Sequence, residues 1–359
     1  MVVFLLLIVI LIPNNTEALS DTGESTIVMD IETGRILYQK NSNSEMLIAS
    51  TTKIMTFLVA LTYATDRLYE KVVVGEEVLT MYGTNMYITL DEELTLIDLL
   101  YGLMLRSGND ASVVIATYVS GSVDDFVYLM NQKAREIGMI NTTFKNPHGL
   151  DEETENYSTA YDLAILTRYL YLNYPLYKEI SGTKYYDFKS NFKSYSLTNR
   201  SKIIFTYKNI TTAKNGYTPR AGKSLVTTAT NNNLNLLIVT LNDPNIYENH
   251  ENLYEYYFNN YKNYLILDSN NFKVDGNILK NNYYIKNSFS YPLTTNEYEN
   301  INTKIIVSED DSNILGKVNI LLNDKIIHEE KIYKKQKEEK ERKESFLKKI
   351  LNFFKNLFK

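Results

Sequence analysis

The sequence predicts a mixed α/β domain of the α+β kind: an antiparallel sheet flanked by helices, followed by a small all-β region and a C-terminal amphipathic helix. Three observations lead there. β-type runs stand at both ends of a stretch whose middle has helical periodicity, so one sheet has to be closed by strands far apart in the chain. The length, 359 residues, exceeds what one hydrophobic core usually organises. The last fifteen residues separate apolar from charged side chains at the helical period.

The chain begins with an apolar run at residues 2–12, too short for the roughly 20 residues of a membrane-spanning helix. It reads as a secretory leader, residues 1–18, with Thr16 and Ala18 as small residues at the cleavage site and Leu19 as the mature start, although no Lys or Arg precedes the run. Residues 26–39, TIVMDIETGRILYQ, are two β-runs around a Glu-Thr-Gly turn. Residues 50–64 open a helix with Ile54, Phe57, Leu58 and Leu61 at helical spacing. Four more helices are expected at 94–106, 111–118, 123–137 and 157–172. From Tyr195 the pattern becomes β-rich through KIIFTY, KNGYT, SLVTTAT and LNLLIVTLN, closed by a tyrosine-rich helix at 247–261. These elements make one domain at 19–263.

Residues 264–333 carry short β-runs and asparagine-rich turns without a chemical motif, and read as a small all-β domain. Residues 334–344 are a mixed-charge linker. In residues 345–359, SFLKKILNFFKNLFK, the Phe, Leu and Ile side chains fall within roughly a 160° arc and every Lys and Asn lies opposite. Fifteen residues reach about 22 Å, short of the roughly 30 Å hydrocarbon core, so this helix is expected to lie in a membrane surface with Lys348, Lys349, Lys355 and Lys359 toward anionic headgroups. Residues 331–359 hold 11 Lys/Arg and 4 Asp/Glu, and a chain total of −5 leaves −12 for the rest. An acidic body on a basic tail suits a membrane surface and speaks against nucleic acid.

Composition narrows the chemistry. There is no cysteine, which removes thiolate nucleophiles and thiolate metal sites together. The three histidines, His148, His250 and His328, form no HExxH pair, and no metal or other cofactor is expected. Ser, Lys, Asn, Tyr or carboxylates must do the work. ASTTKIMT sets Ser50 three residues ahead of Lys53 at the mouth of an apolar helix. Alone the S-x-x-K spacing says little, because it occurs also at Ser181, Ser190 and Ser345. At a helix mouth, however, unsatisfied N–H groups and the dipole favour negative charge on an attacked carbonyl. A lysine with the reference pKa of about 10.4 takes no proton near neutrality, so burial and a second cation must depress it. RSGND, with Ser107 and Asn109, and AKNGYT, with Lys214, Asn215, Gly216 and Tyr217, can each be an ordinary turn. As a set they meet the demand: Lys214 supplies the cation, Asn109 holds Lys53, and Gly216 lets a substrate strand approach the edge.

S-x-x-K, then Ser-x-Asn, then Lys-x-Gly is the motif order of penicillin-binding proteins and class A β-lactamases. With GSVDDFVYLMNQKAREIGM, TTFKNPHGLD and YSTAYDLAILTRYL added, the chain from about residue 26 to 261 resembles the D-alanyl-D-alanine carboxypeptidases among the low-molecular-mass penicillin-binding proteins, serine peptidase family S11. The resemblance implies a serine β-lactamase/DD-peptidase-like fold. It also implies an exported enzyme, tethered at the outer face of the bacterial cytoplasmic membrane, that removes the terminal D-Ala from peptidoglycan stem pentapeptides and is inhibited by β-lactams. Ser50 would be the acylated nucleophile and Lys53 its base. Ser107 and Asn109 would assist proton transfer and positioning, Lys214 would recognise the substrate carboxylate, and the N–H groups of Ser50 and Tyr217 would form the oxyanion hole. His148 would be structural.

Two departures stand out. Asn215 replaces the threonine of Lys-Thr-Gly, and the segment after LLIVTLN, DPNIYENHEN, lacks the arginine that relatives tend to carry near the substrate carboxylate. Weaker carboxylate binding is expected. The alternative reading is a catalytically impaired protein of the same fold that binds peptidoglycan or acts as a scaffold.

Overall fold

The computed structural model describes residues 20–274, 283–308 and 313–335. The expected leader, nearly all of the charged linker and the amphipathic helix at 345–359 lie outside them. Two compact units divide the chain, one ending at Asn259 and one beginning at Asn260.

The first unit is built on a five-stranded antiparallel sheet. Its strands are β1 (Ser25–Asp30), β2 (Ile36–Lys40), β3 (Ile210–Thr218), β4 (Gly222–Asn231) and β5 (Leu234–Leu241), in the order β2-β1-β5-β4-β3. The closure expected from the sequence is the β1–β5 pairing, from Ser25↔Leu241 to Asp30↔Leu236. β3 is an edge strand, so one row of its backbone groups stays outside the ladder. Alternation along the strands gives the sheet two apolar faces. Ile27, Met29, Val226, Leu237 and Val239 join the helical core. On the opposite face, Thr227 on β4 and Thr240 on β5 bond the two ring nitrogens of His250, at 2.8 and 3.0 Å.

The helical core is formed by α1 (Lys53–Ala64), α2 (Leu96–Tyr101), α3 (Asn109–Ser120), α4 (Val123–Ile137), α5 (Ala160–Asn173) and α6 (Pro175–Gly182), while α7 (Ile246–Asn260) carries His250. α1 is apolar on nearly every side and almost wholly buried, the pattern of a central helix. α4 shows the complementary pattern, with Phe126, Met130 and Ala134 inward and a Ser122 cap accepting from Asp125 N.

The structure corrects three expectations. KIIFTY is not a β-run: Ile203–Thr206 is one helical turn, its Ile203 and Ile204 buried with Ala213. Short apolar runs do not reveal their period, which is why the sequence misled there. The fifth helix starts at Ala160, capped by Thr159, because Tyr157–Ser158 pairs with Met46–Leu47. A hairpin, Tyr185–Lys189 with Ser194–Thr198, and helix α6 were not expected at all; proline at the start of α6 was the available signal.

The second unit holds a pair of strands, Lys262–Leu267 with Phe289–Leu293, and a four-stranded antiparallel sheet. Its core is Leu267, Ile285, Val318, Ile320 and Ile332. Among the described residues no single helix is long and apolar enough to cross a membrane.

Candidate active site

Ser50 lies in a tight 3-10 turn, Ala49–Thr52, that leads into α1. Ala49 takes a left-handed conformation with φ 46°, uncommon for a residue with a Cβ, and the turn is fixed from outside. The segment Asn146–Gly149 packs against it: a Cβ on Gly149, whose φ is +88°, would stand 1.9 Å from the Ala49 carbonyl oxygen. Thr56 Oγ1 donates to Pro147 O at 2.6 Å and Asn156 Nδ2 to Thr52 Oγ1 at 3.0 Å. The helix mouth is thus held in place by a loop nearly a hundred residues away in sequence.

One turn on, the Lys53 amine donates to Ser50 Oγ at 3.1 Å, to Asn109 Oδ1 at 2.8 Å and to the His148 carbonyl at 2.6 Å. Lys53 is fully buried, and burial first, then the charge of Lys214, hold its pKa well below the ordinary lysine value, with Asp110 opposing. A depressed lysine bonded to a hydroxyl can act as a base near neutrality.

Ser107 and Asn109 come from the joint between α2 and α3. After α2 the helix widens into a π turn, Gly102–Arg106, and Ser107 then reverses the chain at φ 61°, ψ 35°. Widening of this kind is frequent at functional sites. A Cβ on Gly102 would collide with Met86. Asn109 opens α3; its N–H donates to Thr84 O and its Nδ2 to Tyr82 O, both at 2.7 Å. Asp110 accepts from the N–H groups of Met86 and Ile88 at 3.0 Å each, pinning the 82–88 loop to the same helix.

Strand β3 brings the third group. Lys214 is buried, and its amine donates to Ser107 Oγ at 2.9 Å and to Asn215 O at 2.7 Å. Burial first, and then the charge of Arg200, push it down to about 7. Gly216 was expected to make room for a substrate strand, and it lines the cleft beside β3; its missing Cβ also makes room for the serine turn, since a Cβ there would stand 3.0 Å from Ser50 N and 3.1 Å from Thr51 N. The physical reason is that β3 passes directly against the 3-10 turn. The ring of the next residue, Tyr217, lies in solvent.

The sequence-derived residues come together as two hydrogen-bonded chains, Ser50–Lys53–Asn109 and Ser107–Lys214–Asn215, with Gly216 against the Ser50 backbone. His148 contributes its carbonyl to Lys53, while its ring Nδ1 accepts from Leu150 N at 3.1 Å. Burial first, and then Lys53, lower its imidazole to about 3, so the ring is held neutral. Arg200 and Ser201, which sequence reasoning did not single out, lie beside these chains: Ser201 Oγ donates to Asn215 Oδ1 at 3.2 Å and Arg200 Nη1 to Thr84 Oγ1 at 3.5 Å. They sit in TNRS, a turn without periodicity or motif spacing, and only the pairing of distant segments brings them there. Among the described residues no three His, Asp or Glu side chains converge as metal ligands.

The family model described as D-alanyl-D-alanine carboxypeptidase, peptidase S11, matches residues 13–245. The D-alanyl-D-alanine carboxypeptidase DacF of Bacillus subtilis is 38% identical over 229 residues, and DacC of Escherichia coli is 34% identical over 235. Those matches cover 62% and 63% of this chain, and each spans 58% of the relative's own length. Among solved structures, penicillin binding protein 5 from Haemophilus influenzae superposes with a TM-score of 0.72 at 25% identity, covering 88% of this chain and 97% of the other. PBP3 of Streptococcus pneumoniae, a peptidoglycan synthesis regulatory factor, gives 0.73 at 21% identity over 89% of this chain and all of that one, a likeness of fold.

Proposed function

The chain belongs to the D-alanyl-D-alanine carboxypeptidase family, peptidase S11, and from that premise we propose that it is a serine-type carboxypeptidase releasing the terminal D-Ala from peptidoglycan stem peptides. The observation that carries the reading is the buried Lys53 amine, 3.1 Å from Ser50 Oγ and depressed by burial and a second cation.

Lys53, neutral, takes the Ser50 proton as Oγ attacks the carbonyl carbon of the penultimate residue. The N–H groups of Ser50 and Tyr217 face the developing oxyanion. The tetrahedral species collapses with cleavage of the C–N bond, and the departing amine of D-Ala receives, relayed by Ser107, the proton that Lys53 took from Ser50, which leaves Lys53 neutral again; Lys214 holds Ser107 by hydrogen bond. The products are free D-Ala and an ester on Ser50. Water then adds to the ester with Lys53 again as base, restoring the hydroxyl and freeing the shortened peptide. Asn109 fixes the Lys53 amine, and Lys214 with Asn215 faces the substrate's terminal carboxylate. A β-lactam, whose amide bond opens on the same serine, would inhibit by leaving a slow ester.

The leader expected at 1–18 and the amphipathic sequence pattern of 345–359 support export and attachment to the outer face of the cytoplasmic membrane. The test incubates the full chain with a peptide ending in D-Ala-D-Ala and with a fluorescent penicillin. Free D-Ala and an adduct on Ser50 are the expected results. Absence of both sinks the reading, and stem-peptide binding undiminished by Ser50→Ala would then favour the scaffold alternative.

A further inference from the structure

The Tyr217 N–H, one of the two groups assigned above to the oxyanion, belongs to an edge strand. β4 pairs with β3 on one side, and the other row of its backbone groups stays open. Gly216, the residue before Tyr217, has no side chain with which to fix the strand locally. The place of the donor therefore depends on what holds the residues to either side. On one side Asn215 Oδ1 accepts from Ser201 Oγ at 3.2 Å, a neutral and rather long bond. On the other, Thr218 Oγ1 donates to Asp151 Oδ2 at 2.6 Å, with both residues buried. A hydroxyl on a carboxylate at that distance is a short, charge-assisted hydrogen bond, the stronger of the two anchors.

Asp151 is placed by the segment that also builds the other half of the site. Residues 146–156 set Gly149 against Ala49, give the His148 carbonyl to the Lys53 amine at 2.6 Å and reach Thr52 Oγ1 from Asn156 Nδ2 at 3.0 Å. Arg220, in the turn after β3, clasps the same loop: its Nη1 donates to Asp151 O at 2.7 Å and its Nη2 pairs with Glu155 Oε1 at 2.5 Å. Thr218 Oγ1 in turn accepts the Ala221 N–H at 3.0 Å, which ties the bond to the β3–β4 turn. One loop thus touches the turn of the nucleophile, the base and the strand of the oxyanion donor, and Asp151 makes its bond to the strand.

We propose that Asp151 is a positioning residue for the reaction: by anchoring Thr218 it fixes the Tyr217 N–H against the carbonyl oxygen that Ser50 attacks. The inference rests on the carboxypeptidase reading above. An oxyanion donor acts chiefly in the transition state, so its displacement falls on kcat and leaves KM nearly unchanged. The bond acts here by geometry. A substitution that removes the charge of Asp151 but keeps an acceptor oxygen therefore preserves most of the rate.

The experiment uses the full chain, a peptide ending in D-Ala-D-Ala, and a peptide boronic acid whose boron takes the Ser50 Oγ and places an oxygen where the oxyanion forms. Rates are taken per folded molecule, below the thermal midpoint of each variant. Asp151→Ala should lower kcat roughly 10- to 100-fold with KM within about 3-fold of the parent, and should weaken the boronic acid by a similar factor. Asp151→Asn should stay within about 5-fold of the parent. Thr218→Val, which removes the donor and keeps the carboxylate, should repeat the Asp151→Ala loss, and the double variant should lose no more than either single one. If Asp151→Ala does not fold, Thr218→Val and Asp151→Asn carry the comparison. The proposal is overturned by an unchanged kcat in Thr218→Val, by a loss confined to KM, by undiminished boronic acid affinity in a slowed variant, or by an Asp151→Asn loss as large as that of Thr218→Val. A parent that releases no D-Ala and forms no penicillin adduct overturns the underlying reading and this one with it.

Discussion

The Lys53 amine has three hydrogen-bond partners, a hydroxyl, an amide oxygen and a backbone carbonyl, and none of them is a carboxylate. A carboxylate at that distance would hold the proton on the amine, whereas these neutral oxygens orient it without neutralising the effect of Lys214. Lys53→Arg installs a cation that cannot give up its proton, so acylation by a fluorescent penicillin should fall roughly 10²–10⁴-fold, and the thermal midpoint should fall too because a larger, permanent charge is buried there. The pH profile follows from the two lysines. Protonation of Lys53 removes the base, so the acid limb lies well below the usual lysine range. Loss of the proton from Lys214 removes its positive charge, so the alkaline limb should fall near pH 7. Arg200→Gln removes a charge that lowers the Lys214 pKa, and the alkaline limb should then move to higher pH. An alkaline limb that stays in place would show that Lys214 does not set it.

At the scale of the elements, the site is the meeting of a 3-10 turn, a π-widened joint and an edge strand, and each meeting is permitted by a glycine. Gly149 and Gly216 both face the serine turn, Gly149 within 1.9 Å of a carbonyl oxygen if it bore a Cβ and Gly216 within 3.0 Å of Ser50 N. Gly149→Ala is strained twice, by its φ of +88° and by that contact, and should destabilise the first unit by about 1–3 kcal/mol in urea unfolding. Gly216→Ala meets only backbone nitrogen and oxygen atoms, at distances a small shift relieves. It should keep the fold and slow acylation by displacing β3 from Ser50. If Gly216→Ala acylates at the parent rate, the strand does not position the oxyanion donors as proposed.

For the whole molecule, two predictions concern properties outside the cleft. His250 bridges β4 and β5 from α7, and burial, outweighing the nearby Asp243 and Asp21, lowers its imidazole to about 3. Its folded pKa lies below its unfolded one, so the stability it confers is present above about pH 6.5 and is lost as pH falls toward 3. The slope is about 1.4 kcal/mol per pH unit for each such imidazole, His148 adding a second. Urea midpoints measured through that range should fall accordingly, and a flat dependence would exclude neutral burial of both rings. The second prediction concerns residues 345–359. The full chain should bind anionic vesicles, lose them at high salt, and fail to bind after deletion of these residues; equal binding to neutral vesicles would contradict the surface model. The sequence by itself determined the α+β class and the spans of the helices at 53–64 and 123–137, because periodicity is a local quantity, while Ser50, Lys53, Ser107, Asn109 and Lys214 were singled out by the order of their motifs and the family resemblance it carries. The short helix at 203–206, the hairpin after α6 and the contact of Ser201 with Asn215 had no local signal. Only the tertiary structure decided those, as it decided that Gly216 accommodates the serine turn, because each depends on a contact between segments many residues apart.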